Sequence, residues 1–127
     1  MGRIVTSATI TNVKEPSKTF RCDALVDTGA TYMVLPNAWK DRLGDLELIE
    51  TAEFSTATQP ITGEIRGPVE IQLEGFRRVH TDVVFVDMEP DDGRYDPLVG
   101  YVVLEQSHAA VDMLGHRLVH VKRMDLK

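Results

Sequence analysis

The chain has one cysteine, Cys22, in 127 residues. One thiol cannot close an internal disulfide, which excludes a disulfide-stapled scaffold. Cys22 shares strand parity with Phe20, Ala24 and Val26 and reads as a small core residue rather than a reactive nucleophile. Long hydrophobic runs are also missing: none approaches the roughly 20 residues of a membrane-spanning helix. Met1 leads directly into a strand-like pattern, without a charged segment followed by an apolar one, so a soluble, cytoplasmic protein with no membrane partner is expected. Positive charge is in deficit, with 14 Lys and Arg against 20 Asp and Glu and a net charge of −6. Apart from Arg77-Arg78 and Lys122-Arg123 the basic residues are scattered, so nucleic acid is not an expected partner.

Other chemistries lack their residues. There is no nucleotide-binding glycine loop, Gly-x-Ser-x-Gly elbow or Cys/His nucleophile pair. His116 and His120 are four apart, which on a helix would suggest a metal pair. They follow Gly115 in a strand-like alternation, and at about 3.3 Å per residue the rings would stand about 13 Å apart, too far for one ion. In Asp87–Gly93 the glycine falls one position late for a calcium loop, and Leu98 stands where the bidentate acid belongs. That segment reads as a solvated turn. No metal and no cofactor is expected.

What is present is ordinary for a globular protein, with 43% hydrophobic and 27% charged residues. The length suits a single domain, residues 1–127. Short strands dominate the pattern. Ile4, Ala8 and Ile10 share one face, Glu15-Pro16-Ser17-Lys18 is a turn, and residues 19–26 form the next strand. Met33-Val34-Leu35 is a short buried strand. Pro36 introduces a short helix with Asn37 as N-cap and Gly44 as terminator. Residues 46–55 read as a strand. Val69, Ile71 and Leu73 alternate with Glu70, Gln72 and Glu74, and Val83–Val86 is a central apolar run. Gly100 opens a helix over Tyr101–His108, and two short strands follow near Ala110–Asp112 and Arg117–Val121. The expected architecture is an all-β, closed or partly closed barrel with one or two short helices.

Chemistry concentrates in Ala24-Leu25-Val26-Asp27-Thr28-Gly29-Ala30-Thr31. An apolar strand ends on an acid, followed at once by a hydroxyl residue and a glycine. A carboxylate in that position needs hydrogen bonds, and the turn offers Thr28 and backbone N–H groups. Gly29 permits a sharp turn and the close approach of another chain. Two such carboxylates face to face would share one proton, and such a pair can activate a water against a peptide bond. Asp-Thr-Gly occurs once, so the second carboxylate must come from a second copy of the chain.

Two blocks, Ala24–Pro36 and Asp96–Glu105 with its Leu98-Val99-Gly100, together resemble the retropepsin-like (retroviral-type) aspartic peptidases, in particular their small bacterial relatives. The likeness in order of elements spans roughly residues 3–121. It implies a single-lobe acid-protease fold and a homodimeric aspartic endopeptidase acting on extended peptide. By this resemblance Asp27 is the catalytic acid/base. Thr28 stiffens the paired loops across the dimer, Gly29 gives a main-chain contact to substrate, and Ala30 fits the little room beside the dyad. Leu98 and Val99 support the Asp loop and wall the cleft. Residues 52–65 fall at the family's flap, with Ala57, Thr58 and Gln59 near a tip that contacts substrate. This flap departs from the retroviral type: its tip is not glycine-rich, and Pro60 stiffens it and removes a donor. A second class of function stays open, a non-catalytic or weakly active dimeric peptide-binding scaffold on the same fold.

Overall fold

A computed structural model describes residues 3–55 and 59–121. Among the described residues nine strands and two short helices follow the order β1 (Val5–Asn12), β2 (Thr19–Val26), β3 (Met33–Pro36), a 3-10 helix (Asn37–Leu43), β4 (Glu47–Ser55), β5 (Pro60–Leu73), β6 (Arg78–Val86), β7 (Leu98–Val99), α1 (Tyr101–Gln106), β8 (Ala109–Asp112) and β9 (Arg117–His120). Six strands close on themselves in the order β1-β2-β7-β3-β6-β5, because β5 returns to pair with β1, Ile71 opposite Ile10. Closure leaves the ring without an open edge. β4 adds to the first half of β5 as an outer strand. β8 and β9 form a separate two-stranded sheet.

Period-2 alternation builds the core. Ala8 and Ile10 from β1, Val69, Ile71 and Leu73 from β5, and Val83 and Phe85 from β6 are fully buried together. Cys22 packs against this core as parity implies, and burial pushes its thiol pKa up to about 11, with Asp23 adding to the rise. At neutral pH almost none of it is the nucleophilic thiolate. A smaller cluster, Ile65, Val84 and Val86 with Tyr32, Val34, Phe54 and Ile61 against it, uses the other parity of β6. Burial on both faces explains why Val83–Val86 reads as an unbroken apolar run.

Three boundaries differ from the sequence expectation. The helix after Pro36 is 3-10, and Asn37 does not cap it. Pro36 occupies the cap position in an extended conformation, and the Asn37 side chain instead donates to Asp87 Oδ1 at 2.8 Å. Gly44 does terminate that helix, at φ +66°, where a Cβ is unfavourable. The second helix stops at Gln106, with Ser107 at its C-cap and His108 at φ +57° turning the chain into β8. The strand expected from residue 46 starts at Glu47, and Leu46 is buried.

One buried side chain escaped the sequence reading. Asn12 Nδ2 donates to the Leu43 carbonyl at 2.7 Å, and its Oδ1 accepts the Lys14 N–H at 2.9 Å. It ties the β1–β2 turn to the end of the 3-10 helix, and a buried amide with both ends satisfied fixes that geometry. No helix among the described residues is long and apolar enough to cross a membrane.

Candidate active site

Asp27 sits where β2 leaves the barrel. The last two residues of β2 pair in parallel with β7, Leu25 opposite Leu98 and Val26 opposite Val99. The Leu25 N–H donates to the Pro97 carbonyl at 2.8 Å, and the Asp27 N–H to the Val99 carbonyl at 3.0 Å. The chain then turns. Gly29 N–H donates to Asp27 Oδ1 at 2.9 Å, and Ala30 N–H to the Asp27 carbonyl at 3.1 Å. The turn therefore aims one of its own donors, the Gly29 N–H, at the carboxylate and closes on the Asp27 main chain with the next.

A second set of bonds latches the loop to α1. The first N–H groups of a helix have no partner within it. Here Tyr101 N–H donates to the Ala30 carbonyl at 2.7 Å and Val102 N–H to the Thr31 carbonyl at 3.0 Å. The approach is too close for a side chain at Gly100, whose Cβ would run into the carbonyl oxygens of Tyr32 and Ala30. The sequence pair Asp-Thr-Gly and Leu-Val-Gly is thus one physical unit. One block carries the acid, and the other holds its backbone from both sides.

Above the acid lies a cleft of about 600 Å³. Asp27, Gly29 and Ala30 form its polar end, and Tyr32, Val34, Phe54, Ile61, Val84, Val86 and Leu98 its apolar walls. Leu98 lines the cleft as expected. Val99 does not: it is fully buried in the main core and acts through its carbonyl on Asp27. Thr28 is exposed and lines a different concavity, beside α1 and β8. The β4–β5 hairpin forms at the expected flap, with Ser55 opposite Pro60. Ala57 and Thr58 lie outside the described residues, and Gln59 is exposed just before β5. The hairpin's described contributions to the cleft are Glu53, Phe54, Ser55 and Ile61. The sequence reading missed Phe54 and Ile61, although both are apolar residues on a hairpin over the site. Parity with half-buried Ala52 was the available signal for Phe54.

The flap hairpin is braced from below. Glu64 Oε1 accepts from Lys40 of the 3-10 helix at 2.7 Å and from Arg66 at 2.9 Å. These two hydrogen bonds hold the Glu64 carboxyl below the usual carboxylate range. Arg66 also donates to the Leu46 carbonyl at 2.8 Å. Among the described residues no group of three or more His, Cys, Asp or Glu side chains is placed to hold a metal ion. His116 lies in the β8–β9 turn at φ +52°, and the His120 ring stacks on Phe76 at 4.4 Å.

With that geometry in place, comparison with known proteins gives a consistent answer. A family model described as aspartyl protease matches residues 8–103. The chain belongs to that aspartyl protease family. Its fold is retropepsin-like, similar to the EIAV protease solved in complex with the inhibitor HBY-793. The TM-score is 0.62 and the identity 21%, over 82% of this chain and 86% of the other. No curated protein matches.

Proposed function

We propose that the chain is a homodimeric aspartic endopeptidase whose dyad is one Asp27 from each subunit. The observation that carries this reading is the single Asp27 carboxylate, held by the Gly29 N–H at 2.9 Å, at the polar end of an apolar cleft. In the dimer, the two carboxyls hold one water and share one proton. The ionised Asp27 takes a proton from the water as its oxygen attacks the scissile carbonyl carbon. The protonated carboxyl of the other subunit donates to the carbonyl oxygen, giving a gem-diol. Collapse breaks the C–N bond and moves a proton to the leaving nitrogen. No metal or cofactor enters these steps.

Thr28, Gly29 and Ala30 are proposed as dyad support. Gly29, Leu98 and the flap residues, including Ala57, Thr58 and Gln59, are proposed to contact substrate. The peptide lies extended and pairs through its backbone as an added strand. Apolar side chains flank the cut, since Val34, Phe54, Ile61, Val84, Val86 and Leu98 meet them.

Two measurements test the reading. Light scattering should give twice the chain mass of 14.2 kDa. Hydrolysis of an apolar-centred peptide library should be greatest at acidic to mildly acidic pH and fall toward alkaline pH, because the dyad works only while it holds one proton. Asp27→Asn should abolish turnover and leave dimerisation nearly intact, since the amide is isosteric and uncharged. Turnover that survives Asp27→Asn rejects the mechanism. Peptide binding without turnover, unaffected by Asp27→Asn, favours the scaffold instead.

A further inference from the structure

Among the described residues, β8 and β9 pair with each other and with no other strand. A lone two-stranded sheet is marginal in water. One side of this one is anchored, because Ala109 and Leu118 pack on the main core and His120 stacks on Phe76. Its turn is the opposite case: Met113 is 62% exposed and Leu114 96% exposed. The turn is ordered rather than frayed. Asp112 Oδ1 accepts the N–H groups of Leu114 at 3.1 Å and Gly115 at 3.0 Å, and Arg117 Nε donates to Oδ2 at 3.4 Å. Two large apolar side chains are thus held in water by a built turn.

Between α1 and β8 lies an apolar groove of about 380 Å³, walled by Leu104, Ala109, Val111 and Val121, that reaches Thr28. Consecutive residues of one turn therefore face two concavities, Asp27 the cleft and Thr28 this groove. We propose that the groove and the Met113-Leu114 turn form the surface on which a second copy of this chain docks, Leu114 of each copy seated in the groove of the other. The proposal rests on the homodimer reading and adds where the copies meet. Three arguments favour a second copy as occupant. Bringing a second Asp27 to the first brings the Thr28 end of the groove to the partner. The chain itself offers a large exposed apolar residue to fill an apolar groove. Two-fold symmetry lets each copy present both halves of one self-complementary contact.

Sedimentation equilibrium on the full chain tests this with Leu114→Glu, Val111→Lys and their equimolar mixture. Leu114 is almost wholly exposed, so its replacement leaves the fold unstrained. The contact occurs twice per dimer. A tenfold loss at each therefore raises the dimer Kd about a hundredfold for either variant alone. In the mixed dimer one contact is native, and the other sets the introduced carboxylate against the introduced ammonium. Association and peptide cleavage should both return on mixing. A wild-type dimer whose Kd is unchanged by both substitutions overturns this surface and leaves the homodimer standing. A wild-type chain that stays monomeric at all concentrations removes the homodimer reading, and this surface with it.

Discussion

Two hairpins border the Asp27 turn, and they treat their apolar residues in opposite ways. The β4–β5 hairpin turns Ala52, Phe54 and Ile61 inward, where they cover the small cluster of Ile65, Val84 and Val86. Its exposed positions carry Glu47, Glu50 and Glu53, charges that discourage edge-to-edge pairing, although Leu48 and Ile49 at the start of β4 are also exposed. The β8–β9 hairpin instead carries Met113 and Leu114 outward on a rigid turn. Beside the cleft the first hairpin packs its apolar residues within the chain, while the second holds two at its turn in water, the pair assigned above to the proposed dimer contact. Under the proposed function the difference separates two tasks beside one carboxylate, covering the peptide and supplying the second acid. Substitutions in the first hairpin should change peptide handling by a formed dimer, and substitutions in the second should change association.

The largest effect expected from a single methyl group lies between the hairpins, at Gly100. In Gly100→Ala the new Cβ meets the carbonyl oxygens of Tyr32 and Ala30, and both belong to backbone that also holds the Asp loop. Overpacking of this kind costs about 1–3 kcal/mol. Urea unfolding should show that loss, with cleavage falling further than stability because the displaced loop carries Asp27. A variant as stable and active as wild type would mean that the two blocks are not one mechanical unit.

Phe54→Ala should have the next largest effect. Phe54 is half-buried over the cleft, so its loss removes about 1–1.5 kcal/mol of apolar contact with a bound peptide, about tenfold in KM. The dimer Kd should not move. A change in association with KM unchanged would reverse the roles assigned to the two hairpins.

The parts of this site that were legible in the sequence are those where backbone comes so close that few residues fit. Gly100 belongs to that class, as does Gly44 at its positive φ, and Gly29 sits tight against the Asp27 carboxylate that its N–H bonds. The barrel strands were legible because burial on one face leaves alternation, as at Val69, Ile71 and Leu73. What escaped depends on long-range register. Lys40 meets Glu64 across 24 residues, and Asn12 meets Leu43 across 31. Nothing local in either segment marks the partner. Asn37 misled for a related reason: its side chain can cap a helix, but Asp87, brought close by the fold, takes it instead. The division between Val99 and Leu98 turns on strand parity at a two-residue strand, too short for alternation to show which side chain faces the cleft.

The smallest effect tests the brace under the first hairpin, at Glu64. Lys40 and Arg66 both donate to Glu64 Oε1 and hold its carboxyl below the usual carboxylate range. A carboxyl whose pKa is lowered on folding binds its proton more weakly in the native state than in the unfolded chain. Its contribution is therefore complete above the ordinary carboxylate pKa and fades as pH falls through the lowered folded value. The three side chains are partly exposed, so solvent screening keeps the contribution below about 1 kcal/mol. Glu64→Gln should thus be slightly less stable than wild type in urea at neutral pH. The two curves should converge on acidification below the usual carboxylate range. If the gap instead widens with acid, the Lys40–Glu64–Arg66 bonds are not what braces the hairpin. Should convergence begin only below the pH at which cleavage is fastest, the brace remains intact while the enzyme works, and the flap hairpin keeps its footing on the 3-10 helix throughout that range.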